Sequence, residues 1–95
     1  MNVLIIYNVN INDDLKKRLK QELKKIGYFD SWVFDNNTKK VFLPPNTLWK
    51  KDIEIGTPLN ELKTVLGQLD IPISNLLNCI VVPASPWNGI AGVQS

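Results

Sequence analysis

Histidine is absent from this chain of 95 residues. Its absence removes the usual general base at neutral pH and the commonest zinc ligand, so any catalysis would fall to carboxylates, amides, lysines or a thiol. Cysteine occurs once, as Cys79, which excludes an internal disulfide; set in the run Cys79-Ile80-Val81-Val82, it reads as a small core residue. No apolar run approaches the ~20 residues that span a bilayer, so no membrane partner is expected. Only Met1 and Asn2 precede the first apolar run, which leaves no room for a signal peptide and makes a cytoplasmic location the expectation. There is no phosphate-cradling glycine loop, no zinc-ligand spacing and no nucleophile elbow. No internal repeat or low-complexity segment is visible.

What remains is a globular composition, 44% hydrophobic and 21% charged, with a formal net charge of only +2. A chain of this length makes one domain that buries roughly 60 to 65% of its unfolded surface. The stretch Val3-Leu4-Ile5-Ile6-Tyr7-Asn8-Val9-Asn10 organises it. Leu4 and Ile6 point to one face of a strand, Val3, Ile5 and Tyr7 to the other, and neither set is polar. Such a strand runs through the middle of a sheet.

The helices are announced by their ends. Asn12 can cap a helix with Asp13 and Asp14 in its first turn; Leu15, Leu19, Leu23 and Ile26 form its buried stripe, and Gly27 supplies the left-handed residue beyond it. Thr57-Pro58 opens a second helix, read as a hydroxyl cap followed by proline at the first position, with Leu59, Leu62, Val65, Leu66 and Leu69 as its stripe. Asp70-Ile71-Pro72 ends it. Between the helices, residues 31–34 and 40–43 flank Asp35-Asn36-Asn37-Thr38-Lys39 as a hairpin. Pro44-Pro45-Asn46 interrupts before a short strand over residues 47–51, and Cys79 to Val82 is the last strand, stopped by Pro83.

Strand, helix, strands, helix, strand is the order of a ferredoxin-like βαββαβ domain of the α+β class, here residues 1–83, followed by a C-terminal tail at 84–95 that packs on the domain or on a partner. Right-handed crossovers put both helices on one face of the antiparallel sheet and leave the other open. An uncovered apolar face implies a homodimer built sheet to sheet, with Val3, Ile5, Tyr7 and Trp49 as interface residues. Two alternatives stay open: cover by the tail, which carries Trp87 and Ile90, and a buried helix in place of the apolar strands.

The chain resembles the small ferredoxin-like proteins around the CRISPR-associated adaptation subunit, a group termed endoribonuclease-like, and within it the SinR-like proteins and the antitoxins of type V toxin–antitoxin systems. The residues that carry this are the opening Val3 to Asn10, a helix ending at Ile26-Gly27, the strand Asn46-Thr47-Leu48-Trp49-Lys50, the helix opening at Thr57-Pro58, and Trp87-Asn88-Gly89 after the last strand. The resemblance implies association with RNA or DNA. Nuclease members carry an aspartate directly after the first strand's terminal aromatic residue, where two carboxylates across a dimer axis hold a divalent metal. Here that position is Asn8, with Asn10 two residues on, and a neutral amide poorly balances a hard cation.

The favoured reading is therefore a nucleic-acid-associated protein that binds rather than cleaves and takes no cofactor. Lys17, Lys20 and Lys24 follow helical spacing along one side of the first helix and would contact phosphates. Lys50 and Lys51, beside Trp49, are secondary contacts of the kind that accompany a stacked base. One alternative is a magnesium-dependent endoribonuclease with Asn8 and Asn10 near the metal. Another is a structural homodimer, or an adaptor that binds a protein through the tail.

Overall fold

The computed structural model describes residues 2–33 and 40–83, with 32 and 33 as backbone only. The expected turn at 35–39 and the tail with Trp87 lie outside the described residues. β1 (Val3–Val9) forms the middle of a three-stranded antiparallel sheet, flanked by β4 (Thr47–Lys50) and β5 (Leu76–Pro83). The two ladders fix which side chains share a face. Ile5 lies opposite Leu48 on one neighbour and Val81 on the other; Leu4 lies opposite Trp49 and Val82.

α1 (Asp13–Lys25) and α2 (Thr57–Gln68) cover one face only. Leu19 and Leu23 of the first helix and Leu62, Val65 and Leu66 of the second pack against Ile5, Tyr7, Val9 and Leu48. This is the ferredoxin-like βαββαβ arrangement in its α+β form. Val3 and Ile5 are 0% exposed and Tyr7 is nearly as buried, which corrects their assignment to a dimer surface: these side chains belong to the chain's own core beneath the helices. The open face carries Leu4 and Ile6, half-buried, with Ile80 at 53% and Val82 at 38% exposure.

Both helices end in the same way. In α1, Gly27 takes φ +107°, and the N–H groups of Gly27 and Tyr28 donate to the carbonyls of Lys24 and Leu23 at 3.1 and 3.2 Å. In α2, Asp70 takes φ +57°, and the N–H groups of Asp70 and Ile71 donate to Gly67 and Leu66 at 3.1 and 2.9 Å. Each closure satisfies two otherwise orphaned carbonyls and sets an apolar residue, Tyr28 or Ile71, against the helix's last turn. The starts differ. Asn12 caps α1 as expected, its Oδ1 accepting from the Leu15 N–H at 2.8 Å. Thr57 is already inside α2; Gly56 holds the cap position without a side-chain bond, and the Thr57 N–H donates to the Glu54 carbonyl at 3.1 Å.

β2 (Ser31–Val33) and β3 (Lys40–Phe42) form the expected hairpin as a separate two-stranded ladder, with Ser31 opposite Phe42. Among the described residues the hairpin segment joins the main sheet through one bridge. Phe29 and Trp49 exchange both backbone hydrogen bonds, at 2.8 and 3.0 Å, so Phe29 occupies a fourth position beside β4. Trp49, expected at a dimer surface, is only 6% exposed: its ring stacks on Phe29 and its indole N–H donates to the Ser31 carbonyl at 2.7 Å. β5 begins three residues earlier than its apolar run, because Leu76 pairs with Val9 across a bulge after Asn8.

Candidate nucleic-acid interface

The two prolines before β4 shape the site. Pro44-Pro45-Asn46 holds the chain in a turn, so that β4 begins only at Thr47, opposite Ile6, and β1 runs on past it. Tyr7 still finds one partner, its N–H donating to the Asn46 carbonyl at 3.1 Å. Beyond that point no described strand pairs with β1 on this flank. A cleft of about 470 Å³ lies between the end of β1, the prolyl turn and the first half of α1.

The donors that converge there are Lys16, Lys17 and Lys20 from α1, the amide of Asn8 from β1 and the amide of Asn46 from the turn. No carboxylate lines the cleft among the described residues. Burial pushes the Tyr7 hydroxyl up to about 12, so it stands at the cleft wall as a neutral O–H at physiological pH. Val9, Ile11, Leu19 and Pro45 wall the cleft as well, and the ammonium and amide groups set among them suit an anion. Asn8 is exposed, as is Asn10, whose N–H donates to the Asn75 carbonyl at 2.8 Å and whose side chain does not line the cleft. Among the described residues no group of three or more His, Cys, Asp or Glu is placed to hold a metal.

The five lysines singled out from the sequence are used differently. Lys17 and Lys20 line the cleft. Lys24 lies further along α1, its Nζ 3.3 Å from Asp30, and Lys20 reaches the same carboxylate at 3.5 Å. Burial alone would raise the Asp30 carboxyl; the Lys24 and Lys20 ammonium groups outweigh it and hold the group below its ordinary value of 3.8. Lys50 does not reach toward a ligand: it points to the helix side, pairs with both oxygens of Glu61 at 3.0 and 3.2 Å, and lies over the Tyr28 ring. Lys51 is on the opposite side, its Nζ 5.3 Å from the centroid of the Phe29 ring.

Two members of the site, and one neighbour of β4 outside it, are not evident from sequence. Lys16 is one residue off the stripe chosen on α1, yet α1 enters the cleft through its first turns, where Lys16 projects. Asn46 was read as part of a breaker rather than as a wall. Phe29 lies outside both apolar strand runs, and only its spacing of two from Ser31 hinted that it extends β2.

Among the described residues no helix is long and apolar enough to cross a membrane. No protein-family model matches the chain, and neither a curated protein nor a solved structure proves similar to it.

Proposed function

We propose that this chain is a small nucleic-acid-associated protein of the CRISPR-associated or toxin–antitoxin type, which binds a phosphate backbone rather than cleaving it. The observation that carries this reading is the convergence of Lys16, Lys17 and Lys20 with Asn8 and Asn46 on one cleft whose described lining has no carboxylate. Ammonium groups three and four residues apart on a helix follow consecutive phosphates, and binding then draws on release of their counterions. The amide at Asn8 fits this chemistry better than the aspartate of the nucleases the sequence resembles, which would repel a phosphate unless a metal stood between them.

The test is a titration of labelled single-stranded RNA and DNA with the purified protein at several salt concentrations, with and without magnesium, followed by a gel of the products. The expected result is salt-sensitive binding without cleavage, with the log–log salt slope falling by about one for each of Lys16→Ala and Lys17→Ala. Magnesium-dependent products, abolished by Asn8→Ala, would restore the endoribonuclease. Absence of binding at low salt would make the basic flank of α1 a solvated surface and leave the protein-binding adaptor.

The open sheet face supports pairing of two copies in this reading, now through Leu4, Ile6, Ile80 and Val82. Sedimentation of the wild type against Ile80→Lys tests it; an unchanged monomeric mass for both removes the dimer.

A further inference from the structure

We propose that Phe29 and Phe42 form a stacking platform for two unpaired bases, which makes the ligand a single strand rather than a duplex. This deepens the nucleic-acid reading and rests on it.

Phe29 is held as a stacking surface should be. Its backbone is bonded twice to Trp49, and its ring stacks on the buried indole with centroids 4.9 Å apart and 29° between planes. The indole is in turn pinned by its bond to Ser31. Phe29 as a residue is nevertheless 40% exposed, so part of this held aromatic is presented to solvent. Phe42 is 65% exposed on the facing strand of the hairpin. The register relates the two rings: Ser31 lies opposite Phe42, and the Leu43 N–H donates to the Asp30 carbonyl at 2.9 Å, which puts Phe29 and Phe42 two positions apart along one ribbon.

Each ring carries a cation. Lys51 lies over Phe29 and Lys40 over Phe42, both with Nζ 5.3 Å from the centroid. An ammonium on a flexible stem can leave the ring when a base slides onto it and turn to the phosphate next to that base, so one pair of residues supplies both the stack and its counter-charge. Duplex DNA or RNA presents no free base face to such rings, whereas every unpaired base does.

The platform lies on the sheet face opposite the helices, the face that Trp49 shares with Leu4. Asp30, the residue after Phe29, is where Lys20 and Lys24 close their ion pairs. Those ion pairs neutralise the carboxylate next to Phe29 in sequence.

The experiment is fluorescence anisotropy of a labelled single strand and of a blunt duplex of equal length, at one salt concentration, with wild type, Phe42→Ala, Phe29→Leu and Lys17→Ala. Leucine keeps the apolar contact with Trp49 but removes the π face, and Phe42 is exposed enough to be truncated without loss of the fold. The expected outcome is single-strand preference in the wild type and a loss of about 5- to 150-fold in single-strand affinity for each phenylalanine variant, with duplex binding unmoved. Lys17→Ala should weaken both ligands. Wild-type affinity in both phenylalanine variants alongside a weakened Lys17→Ala, or a preference for the duplex, would overturn the platform and leave the backbone reading standing. Absence of binding to either ligand by the wild type would overturn both.

Discussion

The Tyr28 hydroxyl donates a hydrogen bond of 2.9 Å to Glu61 Oε1, joining the exit of α1 to the first turns of α2 across 33 positions of sequence. Lys50 completes the arrangement from β4, paired with Glu61 and lying over the Tyr28 ring. Burial comes first and the Glu61 carboxylate second in holding the phenol far above the ordinary tyrosine range, so it remains a donor at any pH the protein meets. Glu61→Ala leaves a phenol and an ammonium without their acceptor and should cost about 1–3 kcal/mol in urea denaturation; Tyr28→Phe, which removes one donor and keeps the ring, should cost about 1 kcal/mol. A double-mutant cycle showing no coupling between the two sites would sink this account.

Gly27 is constrained twice. Its φ of +107° is one that residues with a Cβ rarely adopt, and a Cβ placed there would come within 3.2 Å of Lys50 Cε. Gly27→Ala should therefore destabilise the fold by about 1–2 kcal/mol. The lysine stem is flexible enough to yield, so most of that cost is backbone strain, and Gly27→Ala combined with Lys50→Ala should recover only a small part of it. A stability indistinguishable from wild type would contradict the strained closure.

Asp30 predicts a pH dependence with a definite sign. Its carboxyl is depressed in the folded state, so its pairing stabilises above the unfolded value and is lost as pH falls through the folded one. The gap in urea midpoint between wild type and Asp30→Asn should be constant from neutral pH down to about 5 and should shrink once the pH drops below about 4. A gap that persists unchanged to pH 2 would show that the carboxylate's charge is not what stabilises.

Cys79 lies partly buried against the core, and burial raises its thiol above the ordinary value. A raised thiol holds less thiolate at neutral pH, and the thiolate is the reactive form. Its reaction with a disulfide reagent at pH 7 should be slower in the native protein than in 6 M urea. Equal rates would mean the strand opens as fast as the reagent attacks.

Much of the architecture is readable from residues whose local preference and tertiary role agree. Asn12 and Gly27 mark the ends of α1, and the leucine stripes give both buried helix faces. The choice of sheet face was harder, because both sets of β1 side chains are apolar. The clue lies past the aromatic residue: one set ends in Asn8, while the other continues apolar through Val9, and the longer set is the one the helices cover. Lys50 was readable by the same parity, since it shares a face with Leu48. The cleft was not, because it arises from where β4 fails to pair, and a proline pair shows that a ladder is interrupted without showing what fills the gap. Nor was the exposure of Phe29, which depends on a single bridge to Trp49 that no periodicity reports.

The central strand has a temporal consequence. β1 is synthesised before every other described strand, yet the rung at Val3 is completed on one flank by Pro83. A ribosome must therefore release nearly the whole described chain before the sheet can close. Helices built from local contacts can form during elongation, but a ladder of such high contact order waits on a long loop closure. Until then a strand apolar on both sides has β4 as its one available described neighbour, and the nascent protein carries an open apolar edge.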